Sequence, residues 1–231
     1  MPAQNSAPLP IDVVSDVVCP WCFIGKHRLE RALALLPADF PVAVNFRPYF
    51  LNPWVPREGI DRKTYLETKF GSEERYAGIA KRVAAAAAAE GLTYAVDKMK
   101  RQPNTLDCHR LILWAAERGQ AARMKQRLMD LYFTEGADLS DPEVLVKAAV
   151  DCGLDGETVR AKLASDADVE RVQREADAAK EAGIDGVPTF IIGGVLAVSG
   201  AQSPEYLAQA ITRAAAERER RLEEQSASSA M

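Results

Sequence analysis

The sequence predicts an α/β protein in which one sheet is assembled from both ends of the chain and a long helical segment is set between them. Three observations carry this. Short apolar, β-branched runs lie near the N-terminus (11–14 and 42–51). Two more lie late in the chain (186–192 and 195–201). Nearly everything from Asp61 to about Ala182 repeats its apolar residues at helical spacing. A chain of 231 residues suits one elaborated domain or two intimately joined ones.

Taken in order, Ile11–Val14 (IDVV) reads as a short buried strand, followed by Ser15 and Asp16. Ile24, Leu29, Ala32, Leu33 and Leu36 then have helical spacing, ended by Pro37. VAVNFRPYFL (42–51) alternates as a strand does, and NPWVPREG breaks it. In the middle, EERYAGIAKRVAAAAAAEGL is rich in helix formers and stops at Gly91. Asn104 and Thr105 can cap TLDCHRLILWAAERG, which closes at Gly119. RMKQRLMDLYFTEG follows, and Asp141 with Pro142 supplies a cap and first-turn proline for PEVLVKAAVDCG. DGETVRAKLAS and DVERVQREADAAKEAG complete the helical region. GVPTFIIGG and VLAVSGA are then two strands with a Gly-Gly turn between them, and PEYLAQAITRAAAERERRLEE is a closing amphipathic helix whose charged run is a solvated face.

Composition narrows the function. With 29 basic and 33 acidic residues the chain is mildly negative, so neither nucleic acid nor a membrane surface is an expected partner. MPAQNSAPLP has no basic start and no apolar run, so no secretory signal is read. No stretch approaches the roughly 18 unbroken apolar residues of a membrane helix. The expected location is therefore the cytoplasm, where a close cysteine pair is more often catalytic or metal-binding than structural.

The pair is Cys19 and Cys22 in SDVVCPWCFIG, separated by Pro20 and Trp21. Pro20 fits the first helical turn, where its missing N–H costs nothing. Cys19 then sits beside free backbone N–H groups that favour its thiolate. A thiol whose pKa falls from about 8.5 to about 6 goes from about 3% to about 90% thiolate at pH 7. Cys22, one turn in, is the less accessible resolving partner. Half a zinc site is the rival reading. It needs further ligands, and its nominees, Cys108 with His109, or Cys152, are isolated in apolar helical patterns that suit core residues. The spacing favours redox chemistry over metal. Downstream, GVPTF suits either a tight turn with a cis Val187–Pro188 bond or an ordinary strand-initiating proline.

This set of motifs resembles the DsbA-like branch of the thioredoxin superfamily. SDVVCPWCFIGKHRLE, FRPYFLNP, YLETKFGS, PNTLDCHRLI and GVPTFIIGGVLAVSGAQSPEYL, in that order, are similar to the FrnE-type oxidoreductases. Those are grouped with 2-hydroxychromene-2-carboxylate isomerases and kappa-class glutathione transferases. The resemblance runs from about Ile11 to Leu222. It implies a thioredoxin fold with an all-helical domain inserted between its β-α-β and β-β-α halves. In residue numbers that is a thioredoxin-like domain of 11–58 plus 176–225, a helical insertion of 59–175, a flexible tail of 1–10 and a disordered tail of 226–231.

The resemblance also implies that Pro188 is cis and packs against the cysteine pair, and that Val187 offers strand-like hydrogen bonds to an extended substrate. It makes Pro20 and Trp21 the tuners of the redox potential, Asn52 a candidate glutathione contact, and thiol- or disulfide-containing proteins or glutathione the partners. No bound cofactor or metal is expected beyond the redox-active Cys19–Cys22 disulfide, with glutathione a candidate co-substrate. The isomerase and kappa branches commonly carry serine where Cys19 stands, which points away from their chemistry. The periplasmic oxidants have histidine where Trp21 stands, and no cysteine follows Cys152 to match the extra C-terminal cysteines of some FrnE-type proteins.

The expected activity is thiol–disulfide exchange through a mixed disulfide. A glutathione-dependent isomerase or transferase is the alternative, and a holdase-like binding module a third. His27 reads as a surface histidine. Trp54, Trp114, Tyr132 and Phe133 either line an interdomain groove or pack the core.

Overall fold

The computed structural model describes residues 7–229. Its main sheet contains β1 (Leu9–Ser15), β2 (Val42–Pro48), β5 (Thr189–Ile192) and β6 (Leu196–Ser199), in the order β2-β1-β5-β6. β1 and β2 run parallel, whereas β5 is antiparallel to both β1 and β6. Both ends of the chain thus meet in one sheet. The parallel pair requires a crossover, which α1 (Pro20–Ala34) provides. The β5–β6 hairpin turns on Gly193 and Gly194, whose φ values of 63° and 70° are those a tight primed turn demands.

Leu9, Ile11 and Val13 alternate onto one face of β1. They pack with Phe190, Ile192, Leu29 and Ala32 of α1, and Leu207, Ala210, Ile211 and Ala214 of α9 (Pro204–Ser229). Burying side chains of this size stabilises the fold by about 1.5–3 kcal/mol each.

Between β2 and β5 lie α2 (Arg62–Phe70), α3 (Glu73–Ala89), α4 (Leu106–Ala116), α5 (Ala121–Asp130), α6 (Pro142–Asp151), α7 (Gly156–Leu163) and α8 (Val169–Glu181). Several of their starts are capped by side chains; of the caps suggested from the sequence, Asn104 and Asp141 serve, whereas the Thr105 side chain makes no cap hydrogen bond. Ser72 accepts from Arg75 N–H, Asp141 from Glu143 N–H and Asp155 from Thr158 N–H, while Asn104 accepts from Leu106 N–H ahead of α4. A π-helical turn, Leu131–Glu135, extends α5 and ends at Gly136.

A second core joins the start of α1 to these helices. Val17, Val18, Cys19, Cys22 and Phe23 pack with Cys108, Leu111, Met124, Leu128 and Phe133, and the Phe23 and Phe133 rings stack at 5.1 Å. Arg28 and Arg31 of α1 clasp Glu90 at the end of α3. α8 lies on β2. The Cys19–Cys22 motif therefore sits where the sheet and the helices share a core.

Three expectations need correction. The middle segment is not all helical: β3 (Ile60–Asp61) and β4 (Arg101–Gln102) pair there as a small antiparallel ribbon. β1 begins at Leu9, inside the segment expected as a tail, because Leu9 is buried and its N–H donates to Pro41 O at 2.8 Å. The last helix continues through Ser229, inside the segment expected to be disordered. Arg220 with Glu217 and Glu224, and Arg221 with Glu217, form ion pairs one turn apart that support an exposed helix. The rest of both expected tails, 1–6 and 230–231, lies outside the described residues. Among the described residues no helix is long and apolar enough to cross a membrane.

Candidate functional site

β1 ends at Ser15, and a short loop delivers Cys19 as the N-cap of α1 with extended backbone (φ −87°, ψ 114°). Pro20 occupies the first helical position, and no acidic side chain lies in the first turn. The positive end of the helix is thus left facing the Cys19 sulfur. Cys19 O accepts from the N–H of Cys22 and of Phe23, so the two thiols are one turn apart and on the same side.

The two sulfurs are electrically unlike. The Cys19 pKa lies below that of an ordinary thiol, chiefly because the facing Cys22 thiol hydrogen-bonds to it, with further help from the Cys22 and Trp21 N–H groups against the opposing effect of burial. Cys22 is pushed well above the ordinary value, first by burial and then by its Cys19 neighbour. Both residues are buried, Cys19 at 4% exposure and Cys22 at 1%, so the two thiols differ in acidity and not in access. Trp21 between them is exposed.

β5 supplies the other wall. Thr189 pairs with Val14, which brings the preceding residues alongside the loop carrying Cys19. The Val187–Pro188 peptide bond is cis. Cys19 Sγ lies 3.6 Å from Val187 O, as donor to acceptor. Pro188 is buried against Gly25 of α1, and its carbonyl accepts from Gly200 N–H at 2.8 Å. The Cys19–Pro20–Trp21–Cys22 turn and the Val187–Pro188 step, which the resemblance alone linked, thus lie side by side.

Asn52 belongs to an adjoining polar cluster. Its Oδ1 accepts from Lys69 Nζ at 2.5 Å and from the Tyr65 hydroxyl at 3.3 Å, while its buried Nδ2 has no partner among the described residues. Burial lowers the Lys69 pKa, and the nearby Cys19 sulfur opposes that shift before any other charge does. Lys69 thus bonds Asn52 and feels the charge of Cys19. Exposed Trp54 stacks on Tyr65 beside them.

The remaining candidates are elsewhere. Trp114, Tyr132 and Phe133 are core residues, as are Cys108 and Cys152, and all four cysteines are free thiols. His27 is half-buried on α1. Among the described residues no three His, Cys, Asp or Glu side chains gather as a metal-binding group.

Three charged residues escaped the sequence reading. Asp16, fully buried, accepts from Leu51 N–H at 2.9 Å and faces His109 Nε2 at 3.4 Å. Lys125, on α5, donates to Ser15 O at 3.2 Å. Lys69 lies inside a segment that carried the resemblance. For Lys125 there was a signal: it is a charge on the apolar stripe of Met124, Leu128 and Met129.

Residues 10–212 match the DSBA-like thioredoxin domain family. The crystal structure of a probable DsbA oxidoreductase, SCO1869 from Streptomyces coelicolor, is similar with a TM-score of 0.82 and 36% identity, covering 91% of each chain. The uncharacterized protein YwbO of Bacillus subtilis (strain 168) is 28% identical over 204 residues, 87% of this chain and 95% of that one. A 2-hydroxychromene-2-carboxylate isomerase shares the fold at a TM-score of 0.68 and 19% identity, over 88% of this chain and 95% of its own.

Proposed function

The chain belongs to the DSBA-like thioredoxin family, and from that premise we propose that it is a thiol–disulfide oxidoreductase whose reacting groups are Cys19 and Cys22. The observation that carries this reading is the asymmetry of the pair. Cys19 is the acidified sulfur at the helix mouth, and Cys22 is the high-pKa sulfur one turn behind it.

In the reducing direction, Cys19 thiolate attacks one sulfur of a substrate disulfide. That S–S bond breaks, its far sulfur leaves as a thiolate, and a mixed disulfide forms on Cys19. Cys22 then loses its proton and attacks Cys19 Sγ. The Cys19–Cys22 disulfide forms and the second substrate sulfur departs as a thiolate. Two electrons pass from the cysteine pair to the substrate, and oxidation of a substrate dithiol is the same sequence reversed.

The Val187 carbonyl, close to Cys19, and the backbone ahead of Pro188 suit an extended substrate segment, which adds strand-like hydrogen bonds beside the reacting sulfur. Pro20 and the exposed Trp21 set the environment between the sulfurs. Asn52 and Lys69 present a donor and a cation that fit a small anionic thiol such as glutathione, which we assign as a co-substrate. A cysteine at position 19, where the isomerase relatives commonly carry serine, favours exchange over isomerisation.

In an insulin-reduction assay, Cys19→Ser abolishes turnover and Cys22→Ser accumulates a covalent protein–substrate adduct. Undiminished turnover in Cys19→Ser refutes the proposal.

A further inference from the structure

A buried charge constellation lies beneath the cysteine pair, and most of it comes from the helical region. Lys125 of α5 is 1% exposed and sits among the fully buried Met124, Leu128 and Met129. A lysine side chain ordinarily carries its ammonium out to water. Here it turns inward, and the one hydrogen bond it makes among the described residues is to Ser15 O, at 3.2 Å.

Ser15 and Asp16 form the stem of the redox loop. Asp16 O accepts from Cys19 N–H at 3.3 Å, so the residue that anchors Lys125 adjoins the one that anchors Cys19. The Asp16 carboxylate is fully buried. One of its oxygens accepts from Leu51 N–H, and the other faces His109 Nε2 at 3.4 Å, with no hydrogen-bond partner among the described residues. A carboxylate in such a place needs a countercharge. Two groups can supply it, His109 and Lys125. Burial lowers the pKa of both, and Asp16 opposes that shift in both. A lysine starts from an ordinary value far above neutrality whereas a histidine starts near it, so the ammonium of Lys125 is the better placed to supply it at pH 7.

The groups facing Lys125 are Cys22 and Cys19 at the start of α1, Asp16 of the loop, and Cys108 and His109 of α4. Cys22 shares one core with Met124 and Leu128, the neighbours of Lys125 on α5. Burial lowers the Lys125 pKa, and Cys22 opposes that shift ahead of any other charge.

We propose that Lys125 is a positioning residue for the redox pair: its buried ammonium, fixed on the Ser15 carbonyl and balanced by Asp16, stabilises negative charge on Cys22 while that sulfur attacks the mixed disulfide. This rests on the oxidoreductase reading. In the step concerned, the Cys22 proton leaves to water and the Cys22 electron pair bonds to Cys19 Sγ. The bond from Cys19 Sγ to the substrate sulfur breaks, and the substrate thiolate takes a proton from water. The substrate disulfide is the oxidant. Without the cation, Cys22 must ionise in an apolar core against its own burial.

The test uses the full reduced chain, oxidised glutathione as the probe, and rapid acid quench with mass spectrometry to follow the Cys19–glutathione adduct. Lys125→Met resolves the adduct roughly tenfold more slowly at pH 7, and its rate–pH profile moves up by roughly one unit, because each unit of lost thiolate stabilisation costs a factor of ten. Lys125→Arg restores both. If Lys125→Met does not fold, Lys125→Gln, which keeps a donor for the Ser15 carbonyl, shows the same displacement. A purely structural role slows the step without moving the profile, and that outcome, or a rate within twofold of wild type, overturns the proposal while leaving the oxidoreductase reading intact. A wild-type chain that forms no adduct removes both.

Discussion

Gly25 of α1 lies directly against the ring of Pro188: a Cβ at position 25 would fall 2.8 Å from Pro188 Cγ, with Phe190 and Ala201 at 3.5 Å. This contact presses α1, which carries Cys22, onto the strand entry that carries the Val187 carbonyl. The proline ring is stiff, so an added methyl group must push the helix or the strand aside. Gly25→Ala is therefore expected to destabilise the protein by about 1–3 kcal/mol, the usual cost of overpacking. It should also lower insulin-reduction turnover, since Cys19 and Val187 ride on the two displaced elements. Urea unfolding of the reduced protein measures the first effect and the assay the second. Unchanged values for both would mean that the contact has no consequence for the site.

The unlike thiols give a prediction on reactivity. At pH 7, iodoacetamide should modify Cys19 well ahead of Cys22, Cys108 and Cys152, as mapped by peptide mass spectrometry. The Cys22 thiol is the largest contributor to the acidity of Cys19. Cys22→Ala should therefore move the midpoint of the Cys19 alkylation–pH curve upward, toward that of an ordinary thiol. A midpoint that stays in place would assign the acidity to the helix terminus alone.

Alkaline pH tests the buried thiols through stability. Cys22 and Cys108 both lie well above the ordinary thiol range, each primarily because of burial. Unfolded thiols ionise at about 8.5. Above that pH the unfolded chain has shed protons that the folded chain still holds, so the stability of the reduced protein must fall as pH rises. Chemical denaturation between about pH 8.5 and 10 should show this slope. Cys108→Ala should make it shallower, because one of the contributing thiols, which also include the less strongly raised Cys152, is gone. An equal slope in the variant would mean that Cys108 ionises as freely in the fold as outside it.

What the sequence could reveal follows from where each signal resides. β1, the Cys19–Cys22 helix and the β5–β6 hairpin are written in contiguous residues: Pro20 at the first helical position, Gly193-Gly194 at a turn that demands positive φ, and alternating apolar residues between. The cluster of Cys19, Val187 and Pro188 joins residues far apart in the chain, and only the family resemblance linked them. β3 and β4 are two-residue strands, too short for any periodicity. Asp16, Lys69 and Lys125 were passed over because a charged residue ordinarily indicates surface. The burial of Asp16 and Lys125 and the half-burial of Lys69 arise from α2, α4 and α5 closing over the loop that carries Cys19, which is a tertiary event. The end of α9 was lost for the opposite reason. Its polar composition reads as tail, and the Glu217–Arg220–Glu224 spacing that supports a helix becomes informative only once the helix exists.

The Asn52–Lys69 pair carries the last prediction. Asn52 Oδ1 is occupied by Lys69 and Tyr65, whereas its Nδ2 is a buried donor without a partner among the described residues. Leaving such a group unsatisfied costs about 1–3 kcal/mol, and an incoming carbonyl or carboxylate removes that cost. Lys69 adds a cation that burial has made less well hydrated, so a ligand carboxylate replaces poor solvation with an ion pair. Calorimetric titration of the Cys19→Ser variant, which cannot form a disulfide through that position, should detect glutathione binding. Asn52→Ala should weaken it roughly tenfold, in line with one lost hydrogen bond to a charged group. Lys69→Met should do the same with a smaller dependence on salt, because the screened charge is gone. If glutathione binds equally well after both substitutions, its site lies elsewhere on the protein. If it does not bind at all, protein disulfides become the substrates to pursue, and Asn52 serves only to hold Lys69 and Tyr65 in place.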